Sequence, residues 1–450
     1  MEPRDAKGRH YSLAFDIGTT TVCGQLLDLN RGKVIAEGIE YNQQIRYGQD
    51  VISRIVYCQR GGCPKLQEAV VATINGIIRQ LVTDSQVDVQ DVGHLAVAGN
   101  TTMIQILLGL DPKYIRLAPY TPAATFIPPV KAVSLGIEVS EHVYLFTFPL
   151  IASYVGGDIN AGIVGTGVHQ RKTLTYYIDI GTNGEIVVGN SDWMVAAACS
   201  AGPAFEGGGI KHGMVATNGA IEDFDINPSN LGPVIGTIGG EKPRGICGSG
   251  LINIIAELLE AGVIGQNGKF NTDLATKRVR KGGDGYEYVL SWASETQTGK
   301  DIVITEADID NLIRAKAAMY AGCQTLVASV GLTCSDLEQV IIAGAFGSHI
   351  NIEKGVTIGL FPDIPRDRFT FIGNGSLLGA RLTSFSTDLL DDARMVARMI
   401  TNLELSENAD FMKNYIASLF LPHTDADDFP SVSKRLTKLK KNRLKQRTTV

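Results

Sequence analysis

The sequence contains one short motif twice, an aspartate that ends an apolar run and is followed by Ile-Gly-Thr. The copies lie at residues 16–19 and 179–182, after the apolar runs 13–15 and 176–178. Each copy predicts a buried strand, a carboxylate at its end and a tight turn whose backbone N–H groups can face a phosphate. One such turn also closes ordinary hairpins, but two copies in the same context predict a duplicated fold that holds one nucleotide from both sides.

The order of predicted elements is similar in the two halves of the chain. The first half predicts strands at 12–17, 21–29 and 34–41, a helix at 66–82, a buried strand at 94–98 and, after a glycine turn, a helix at 103–108. The second half predicts strands at 176–189 and 193–199, helices at 251–259 and 306–330, and a buried strand at 340–343 before another glycine turn. This order predicts an α/β fold of two related lobes, each with a mixed sheet and outer helices, and a ligand cleft between them.

The length of 450 residues exceeds the size at which one hydrophobic core keeps growing, so the chain is expected to contain several domains. The predicted bounds are a disordered N-terminus at 1–11, a first lobe at 12–170 with an irregular, proline-rich insertion at 111–149, a second lobe at 171–385, C-terminal helices at 386–422 and a basic, disordered tail at 423–450. The C-terminal helices are predicted from apolar stripes at 388–403 and 410–420.

The formal charge of the chain is −6, yet its last residues are strongly basic. The eight basic side chains of the tail are Lys434, Arg435, Lys438, Lys440, Lys441, Arg443, Lys445 and Arg447. Without these eight charges the remainder has a formal charge of −14. So acidic a remainder argues against nucleic acid as the main ligand. We therefore expect no nucleic-acid partner and a tail exposed to solvent.

The seven cysteines are scattered and include no C-x-x-C pair, the spacing typical of zinc ribbons and ferredoxin-type clusters. Cys58 and Cys63 are separated by four residues, as in half of a plant-type cluster motif, but the third ligand is missing. We therefore expect free thiols and no iron–sulfur cluster in this chain. Residues 1–10 are polar, and no run approaches the ~20 apolar residues of a membrane span. These features predict a cytoplasmic protein without a membrane partner.

Three motifs in a fixed order carry a wider resemblance. Residues 16–21, 179–184 and 342–348 are similar to the first phosphate turn, the second phosphate turn and the adenosine turn of the superfamily that contains acetate and sugar kinases, heat-shock 70 proteins and actin. In that superfamily two ribonuclease-H-like lobes clasp ATP. The resemblance implies an actin-like ATPase fold with an ATP cleft between duplicated lobes, and ATP and Mg²⁺ as cofactors.

Within the superfamily, residues 12–422 most resemble the ATPase domain of the reductive activators of corrinoid proteins. The strings that carry this resemblance lie at 47–55, 98–103, 200–210 and 245–251. The resemblance implies that ATP drives the one-electron reduction of a Co(II) corrinoid to the Co(I) state that methyl transfer requires. In the family the electron comes from an iron–sulfur cluster in a separate domain, and this chain has no ferredoxin-like cysteine set before residue 12 or after residue 422. The expected partners are therefore a corrinoid protein and a separate electron donor.

The resemblance also assigns catalytic and nucleotide-binding roles. Asp16 and Asp179 are expected to face each other and to hold hydrated Mg²⁺. Asp158, which lies 21 residues before Asp179, is expected to polarise or position the attacking water, although a helix-capping aspartate would look the same. The residues expected to bind phosphate are Gly18, Thr19, Thr20, Gly181, Thr182, Asn183 and Gly184. Those expected to lie against adenosine and ribose are Gly344, Ala345, Gly347 and Ser348.

A glycine-rich loop at 200–213 is expected to border the face that binds the corrinoid protein. Its partner-facing residues are Ser200, Gly202, Glu206, Gly207 and Gly208. A lid over the nucleotide is an alternative role for this loop. Two alternative functions also stay open, a kinase of small molecules and a scaffold whose binding surface is set by nucleotide without turnover. The loop does not resemble a sugar pocket with Asn, Asp and Glu side chains that bind hydroxyl groups, which favours the activator.

Overall fold

Two adjacent hairpins and a parallel strand build the sheet that carries the first Asp-Ile-Gly-Thr copy. The computed structural model describes residues 10–181, 183–344 and 350–448. The described residues divide into two units, the first drawn from Met1–Thr173, Gly189–Ala196 and Asn374–Leu403, and the second from Leu174–Val188, Ala197–Gly373 and Glu404–Val450. The return of residues 374–403 to the first unit differs from the predicted linear order of domains.

The first unit contains a six-stranded mixed sheet. Its strands are β1 (Tyr11–Ile17), β2 (Thr21–Asp28), β3 (Lys33–Tyr41), β4 (Val92–Gly99), β5 (Val130–Lys131) and β6 (Tyr144–Thr147), in the order β3-β2-β1-β4-β6-β5. β1 pairs antiparallel with β2 and parallel with β4, and the β1–β4 register places Asp16 beside Ala98. The first three strands and β4 confirm the predicted strands. The insertion at 111–149 is more regular than predicted, because β6 extends the sheet by pairing with β4.

Helices complete the first unit. They are α1 (Val51–Tyr57), α2 (Cys63–Ser85), α3 (Thr101–Leu107), α4 (Gly157–Thr166), α8 (Gly375–Phe385) and α9 (Asp388–Met399). The helix α2 has the predicted apolar face, and Leu66, Val70 and Ile74 on that face are buried. α4 and α8 cross closely, because Gly165 and Gly379 leave room where their backbones meet. These contacts place the N-termini of α3, α4 and α8 near the carboxyl end of β1.

The second large sheet carries the second Asp-Ile-Gly-Thr copy. Its strands are β7 (Thr175–Ile180), β8 (Gly184–Gly189), β9 (Met194–Cys199), β16 (Gln339–Ala343), β17 (Phe369–Gly373) and β18 (Ile400–Asn402), in the order β17-β16-β7-β8-β9-β18. β16 pairs parallel with β7 and places Ala343 beside Asp179. This pairing repeats the relation of Ala98 to Asp16 in the first unit. The predicted helix at 388–403 ends at Met399, because residues 400–402 pair with β9 as β18.

The remaining elements of the second unit form two small sheets and five helices. The first small sheet has β10 (Ala220–Ile226), β11 (Pro233–Thr237) and β12 (Gly245–Ile246), and the second has β13 (Val279–Gly282), β14 (Gly285–Ser291) and β15 (Ile302–Thr305). The helices are α5 (Gly248–Glu260), α6 (Glu306–Ser329), α7 (Ile352–Thr357), α10 (Ala409–Ser418) and α11 (Pro430–Thr448). Thr305 and Asp308 form a reciprocal capping box at the start of α6.

Two sequence-based expectations are wrong in the structure. The basic tail is not a disordered end over Pro430–Thr448, because these residues form α11, on which Arg435 pairs with Glu260 and Glu353. The expectation of free thiols fails for Cys58 and Cys63, which form a disulfide with a Cα–Cα distance of 4.2 Å. Among the described residues, no helix combines the length and apolar character that a membrane crossing requires.

Candidate functional site

Asp16 stands at the end of β1, and two side chains from a distant part of the chain hold its carboxylate. Its Oδ1 accepts a hydrogen bond of 2.7 Å from Ser376 Oγ, and its Oδ2 accepts one of 2.8 Å from Asn374 Nδ2. Asn374 also caps α8, since its Oδ1 accepts from the N–H of Leu377 at 2.8 Å. The two donors favour the ionised carboxylate and fix its orientation.

Sequence reasoning missed Asn374 and Ser376. A signal for them exists, because a strand that ends in glycine and is followed by asparagine occurs at residues 99–100 and again at 373–374. In both places the asparagine caps the next helix, Asn100 for α3 and Asn374 for α8. This repeat could have placed a second pair of polar groups at the carboxyl ends of the strands.

The first phosphate turn, residues 18–20, is held in place by hydrogen bonds that its three carbonyl groups accept. Asn42 Nδ2 donates to the carbonyl of Gly18 at 2.9 Å, and the backbone N–H of Asn42 donates to the carbonyl of Thr20 at 2.9 Å. Arg54 Nη2 donates to the carbonyl of Thr19 at 2.6 Å. Gly18 is required in this turn, because a Cβ there would lie 2.7 Å from the carbonyl oxygen of Thr21. With three consecutive carbonyls engaged, the turn is preorganised in one conformation.

Arg54 is the least expected member of this site, since its side chain is fully buried. Besides Thr19, its guanidinium donates to the carbonyl of Gly48 at 3.0 Å, to Gln44 Oε1 at 2.9 Å and to Met103 Sδ at 3.1 Å. Burial lowers its pKa to about 10, an effect that the charge of Asp50 opposes. None of its hydrogen-bond partners among the described residues is a carboxylate. A buried cation of this kind is costly, and an anion bound at the neighbouring turn would offset that cost.

Asp158 lies in the first turn of α4 and interacts electrostatically with Asp16. Its Oδ1 accepts from the N–H of Ile159 at 2.9 Å. Burial, reinforced by the negative charge of Asp16, raises the pKa of Asp158 to about 7. Burial also raises the pKa of Asp16, against the lowering effect of the hydrogen bonds from Ser376 and Asn374. The structure therefore brings these two predicted residues together within the first unit.

The position of Asp158 depends on two glycines that precede it. A Cβ at Gly156 would lie 2.6 Å from the Cα of Asn100, and a Cβ at Gly157 would lie 2.9 Å from the carbonyl oxygen of Phe148. Asn100 in turn donates from Nδ2 to Thr19 Oγ1 at 3.1 Å. The start of α4 thus lies against the start of α3, and Asp158 is carried toward the first phosphate turn.

The carboxyl oxygens of Asp16 and Asp158 suit a hard divalent cation. Mg²⁺ prefers oxygen ligands and uses few carboxylates, with water and phosphate oxygens completing its shell. Burial raises the pKa of both carboxyl groups, the charge of Asp16 also raises that of Asp158, and a nearby divalent cation would lower both pKa values. The residues of the first unit therefore fit the predicted Mg²⁺. Asp179 belongs to the second unit, so its predicted pairing with Asp16 stays a prediction.

The second phosphate turn follows β7 in the second unit. Asp179 ends the strand, and the N–H of Gly181 donates to the carbonyl of Asn183 at 3.1 Å. A Cβ at Gly344 would lie 2.3 Å from the carbonyl oxygen of Ile180 and 3.1 Å from Asp179 Oδ1. Gly344 also has a φ of +97°, which favours glycine. The predicted adenosine turn therefore begins directly beside Asp179.

Several predicted nucleotide-binding residues cannot be placed. Thr182, Ala345, Gly347 and Ser348 lie outside the described residues. Gly184 lies in β8, and a Cβ there would collide with the side chain of Met319 on α6, at 2.0 Å from Sδ. Packing within the second unit therefore explains why residue 184 is a glycine, and this explanation does not depend on a bound phosphate.

The predicted partner-facing loop is hydrogen-bonded to α6 near its C-terminal end. The N–H of Lys211 donates to Asp308 Oδ1 at 2.8 Å, and Asn311 Nδ2 donates to the carbonyl of Gly209 at 2.8 Å. Ser200 and Glu206 are exposed. The glycines at 202 and 207 have φ values of +72° and +82°. The loop therefore presents small and polar residues on a base that α6 holds in place.

Comparison with known proteins places most of the chain in one group. Two protein-family models match, one described as "RACo middle region" over residues 11–171 and one as "C-terminal domain of RACo the ASKHA domain" over residues 173–433. A solved structure titled "Reductive activator for corrinoid,iron-sulfur protein" superposes with a TM-score of 0.85 at 50% identity, covering 94% of this chain and 68% of that one.

Two curated proteins are similar in sequence. "Corrinoid activation enzyme RamQ" of Eubacterium limosum is 35% identical over 415 residues, which cover 90% of this chain and 69% of that protein. "[Co(II) methylated amine-specific corrinoid protein] reductase" of Methanosarcina barkeri is 25% identical over 442 residues, which cover 91% of this chain and 76% of that protein. These likenesses confirm the fold class predicted from the repeated motif.

Proposed function

This chain belongs to the family of reductive activators of corrinoid proteins, and on that premise we propose that it uses ATP to return the Co(II) corrinoid of a methyl-transfer protein to Co(I). The observation that carries the proposal is the carboxylate pair Asp16 and Asp158 beside a preorganised phosphate turn. Such a pair can hold Mg²⁺ and position a water, two tasks of an active site that hydrolyses ATP. The family relation supports a corrinoid protein as the partner, and we propose a cytoplasmic location, where ATP is available.

Different residues of the chain would have different roles in ATP hydrolysis. Asp16, oriented by Ser376 and Asn374, would hold Mg²⁺ together with Asp179. When bound, Mg²⁺ neutralises the charge that develops on the phosphates. Asp158 would accept the proton of the attacking water, because a carboxylate with a pKa near 7 is matched to that task at neutral pH.

The phosphate and base contacts follow from the two turns. Thr19, Thr20 and Asn183 would donate to phosphate oxygens, and Gly18, Gly181 and Gly184 would allow close backbone approach. The predicted donor Thr182 and the predicted adenosine residues Ala345, Gly347 and Ser348 would complete the site together with Gly344. Binding of ATP would favour one arrangement of the lobes. The free energy of ATP binding can act on the corrinoid only if the corrinoid protein makes different contacts with the two arrangements.

We propose that the electron comes from a separate iron–sulfur domain or partner protein. The seven cysteines of this sequence include no C-x-x-C pair, so the chain offers no ferredoxin-type ligand set. We propose that the corrinoid protein docks on the loop of Ser200, Gly202, Glu206, Gly207 and Gly208, whose small residues allow a bulky ring to approach.

The test uses a corrinoid methyl-transfer protein poised in the Co(II) state, a strong one-electron reductant and the full chain. Addition of MgATP is expected to produce the Co(I) absorption spectrum and free phosphate, and a nonhydrolysable ATP analogue is expected to produce neither. If the chain neither binds the corrinoid protein nor changes its cobalt spectrum, the proposal is contradicted. Transfer of labelled γ-phosphate to a metabolite in place of water would instead indicate a kinase.

A further inference from the structure

A disulfide joins two helices close to the first phosphate turn, and the proposed function does not use it. Cys58 directly follows α1, and Cys63 is the first residue of α2. The five residues Cys58–Gly62 form one wide helical turn, in which Gly61 has a φ of +83°. A Cβ at Gly61 would meet no other described atom within 4 Å, so the turn faces open space at this residue.

The two sulfur atoms differ in exposure. Cys58 is only 7% exposed and belongs to the hydrophobic core, whereas Cys63 is half-buried at the edge of that core. Of the four residues between them, Gln59, Arg60 and Gly61 are exposed and Gly62 is buried. A thiol from solvent can therefore approach the sulfur of Cys63 more readily than that of Cys58.

The disulfide is connected to the phosphate turn through α1. The N–H of Cys58 donates to the carbonyls of Arg54 and Ile55, so Arg54 lies one helical turn before the disulfide. The guanidinium of Arg54 then donates to the carbonyl of Thr19. A second route runs through Gln44, which accepts from Arg54 and donates from Nε2 to the carbonyl of Leu66 on α2 at 2.9 Å.

The helix that carries Arg54 needs support from its ends. α1 has only seven residues, and so short a helix is not stable in isolation. Its N-terminus is closed by the capping box of Asp50 and Ser53. At its C-terminus the disulfide ties it covalently to the 23-residue helix α2. Opening the disulfide removes the covalent restraint on the last turn of α1.

We propose that Cys58–Cys63 is a reversible thiol–disulfide site, and that its reduction by a dithiol weakens nucleotide binding at the first phosphate turn. A thiolate of the dithiol attacks the sulfur of Cys63, and Cys58 leaves as a thiolate that takes up a proton. The second thiol of the donor then displaces Cys63. Two electrons and two protons pass to the protein, and the donor becomes a disulfide. The inference rests on the proposed nucleotide site.

The experiment compares MgADP affinity of the full chain in two redox states by titration calorimetry. One sample is treated with dithiothreitol and the other with oxidised dithiothreitol, and alkylation with mass spectrometry reads the state of the peptide that contains both cysteines. The oxidised protein is expected to bind MgADP about fivefold or more tightly than the reduced protein. The variant C58S/C63S is expected to have the weaker affinity under both conditions.

The matched control is C334S, which removes a free thiol of the second unit and is expected to respond to dithiothreitol as the wild type does. Equal affinities in samples that alkylation proves to be oxidised and reduced would overturn the inference while leaving the nucleotide site intact. Free thiols at both cysteines after oxidation would overturn it too. Loss of MgADP binding in both states would overturn the inference and the proposed nucleotide site together.

Discussion

At the scale of single residues, the site is controlled by what surrounds two carboxylates. Asp16 accepts from two side-chain donors, whereas Asp158 accepts only from backbone N–H groups among the described residues. The two environments push the carboxylates toward different tasks, one to stay ionised beside a cation and one to exchange a proton near neutral pH.

The raised pKa of Asp158 predicts a pH-dependent stability of the nucleotide-free protein. The folded state favours protonated Asp158, whose pKa moves from 3.8 to about 7, so this contribution is complete below pH 3.8 and is lost as pH rises through 7. Chemical unfolding without nucleotide or Mg²⁺ is therefore expected to give a lower free energy of unfolding at pH 8 than at pH 5. D158N is expected to remove this decrease, and D84N, at an exposed aspartate of α2, to retain it. A steep decrease that persists in D158N would contradict the assignment.

The hydrogen bond from Ser376 predicts an effect on Mg²⁺ binding. S376A removes one of the two side-chain donors to Asp16, so the carboxylate is less well oriented and its ionised form less favoured. The Mg²⁺ concentration for half-maximal ATPase activity is expected to rise about 10- to 100-fold. S384A, on the same helix, removes a hydroxyl that contacts Ser12 and is expected to leave the Mg²⁺ dependence unchanged. Equal Mg²⁺ dependence in S376A and the wild type would rule out this role.

At the scale of elements, short helices place the key side chains. α1 carries Arg54 to the carbonyl of Thr19, and α4 carries Asp158 toward Asp16. The long helix α2 supports the segment around Arg54 through Gln44, and the long helix α6 supports the loop at 200–213. The nucleotide site therefore depends on helix ends, where backbone and side-chain donors are free to bind.

Arg54 is expected to act as a positioning residue of the phosphate turn. R54K keeps the positive charge but loses the fork that bonds four groups at once, so MgADP affinity is expected to fall about 10-fold or more. The conservative variant R60K, at the exposed turn after α1, is expected to bind as the wild type does. Calorimetric titration measures both, and a thermal unfolding scan separates lost affinity from lost folding. Unchanged affinity in a folded R54K would refute the role.

The basic helix α11 is expected to stabilise the second unit. Arg435 pairs with Glu260 and Glu353, so R435A is expected to lower the free energy of unfolding by about 1 to 2 kcal/mol in urea. These side chains are partly exposed to solvent, so the expected loss of free energy is small. K438A, an exposed lysine on the same helix, is expected to change stability by less than about 0.5 kcal/mol. Equal effects of the two substitutions would show that α11 is not held through Arg435.

At the scale of the whole molecule, each unit carries one aspartate at the same place in a similar sheet. In both, the aspartate is the penultimate residue of a strand that pairs in parallel with a second buried strand. A glycine ends that second strand in the first unit and directly follows it in the second. The duplication seen in the sequence is therefore a duplication of site-forming elements. Substitution of the two aspartates, singly and together, tests whether the two turns bind one nucleotide.

If one nucleotide is bound by both turns, D16N and D179N are each expected to lower the ATPase rate constant at least 100-fold. The double variant is then expected to be little worse than either single one, because residues that act as a unit are not additive. Phosphate release at saturating ATP measures all three, and MgADP binding checks that each variant folds. ATP hydrolysis by D179N near the wild-type rate would contradict the clamp.

The sequence by itself determined the strands beside the two aspartate turns, the turns themselves and the family, because these depend on apolar patterning and turn chemistry within a few residues of each other. Tertiary structure alone decided that Ser376 reaches Asp16 across 360 positions, and that residues 374–403 return to the first unit. It also decided the pairing of Cys58 with Cys63 and the docking of α11. These features depend on how distant segments pack together, and no local pattern carries that information.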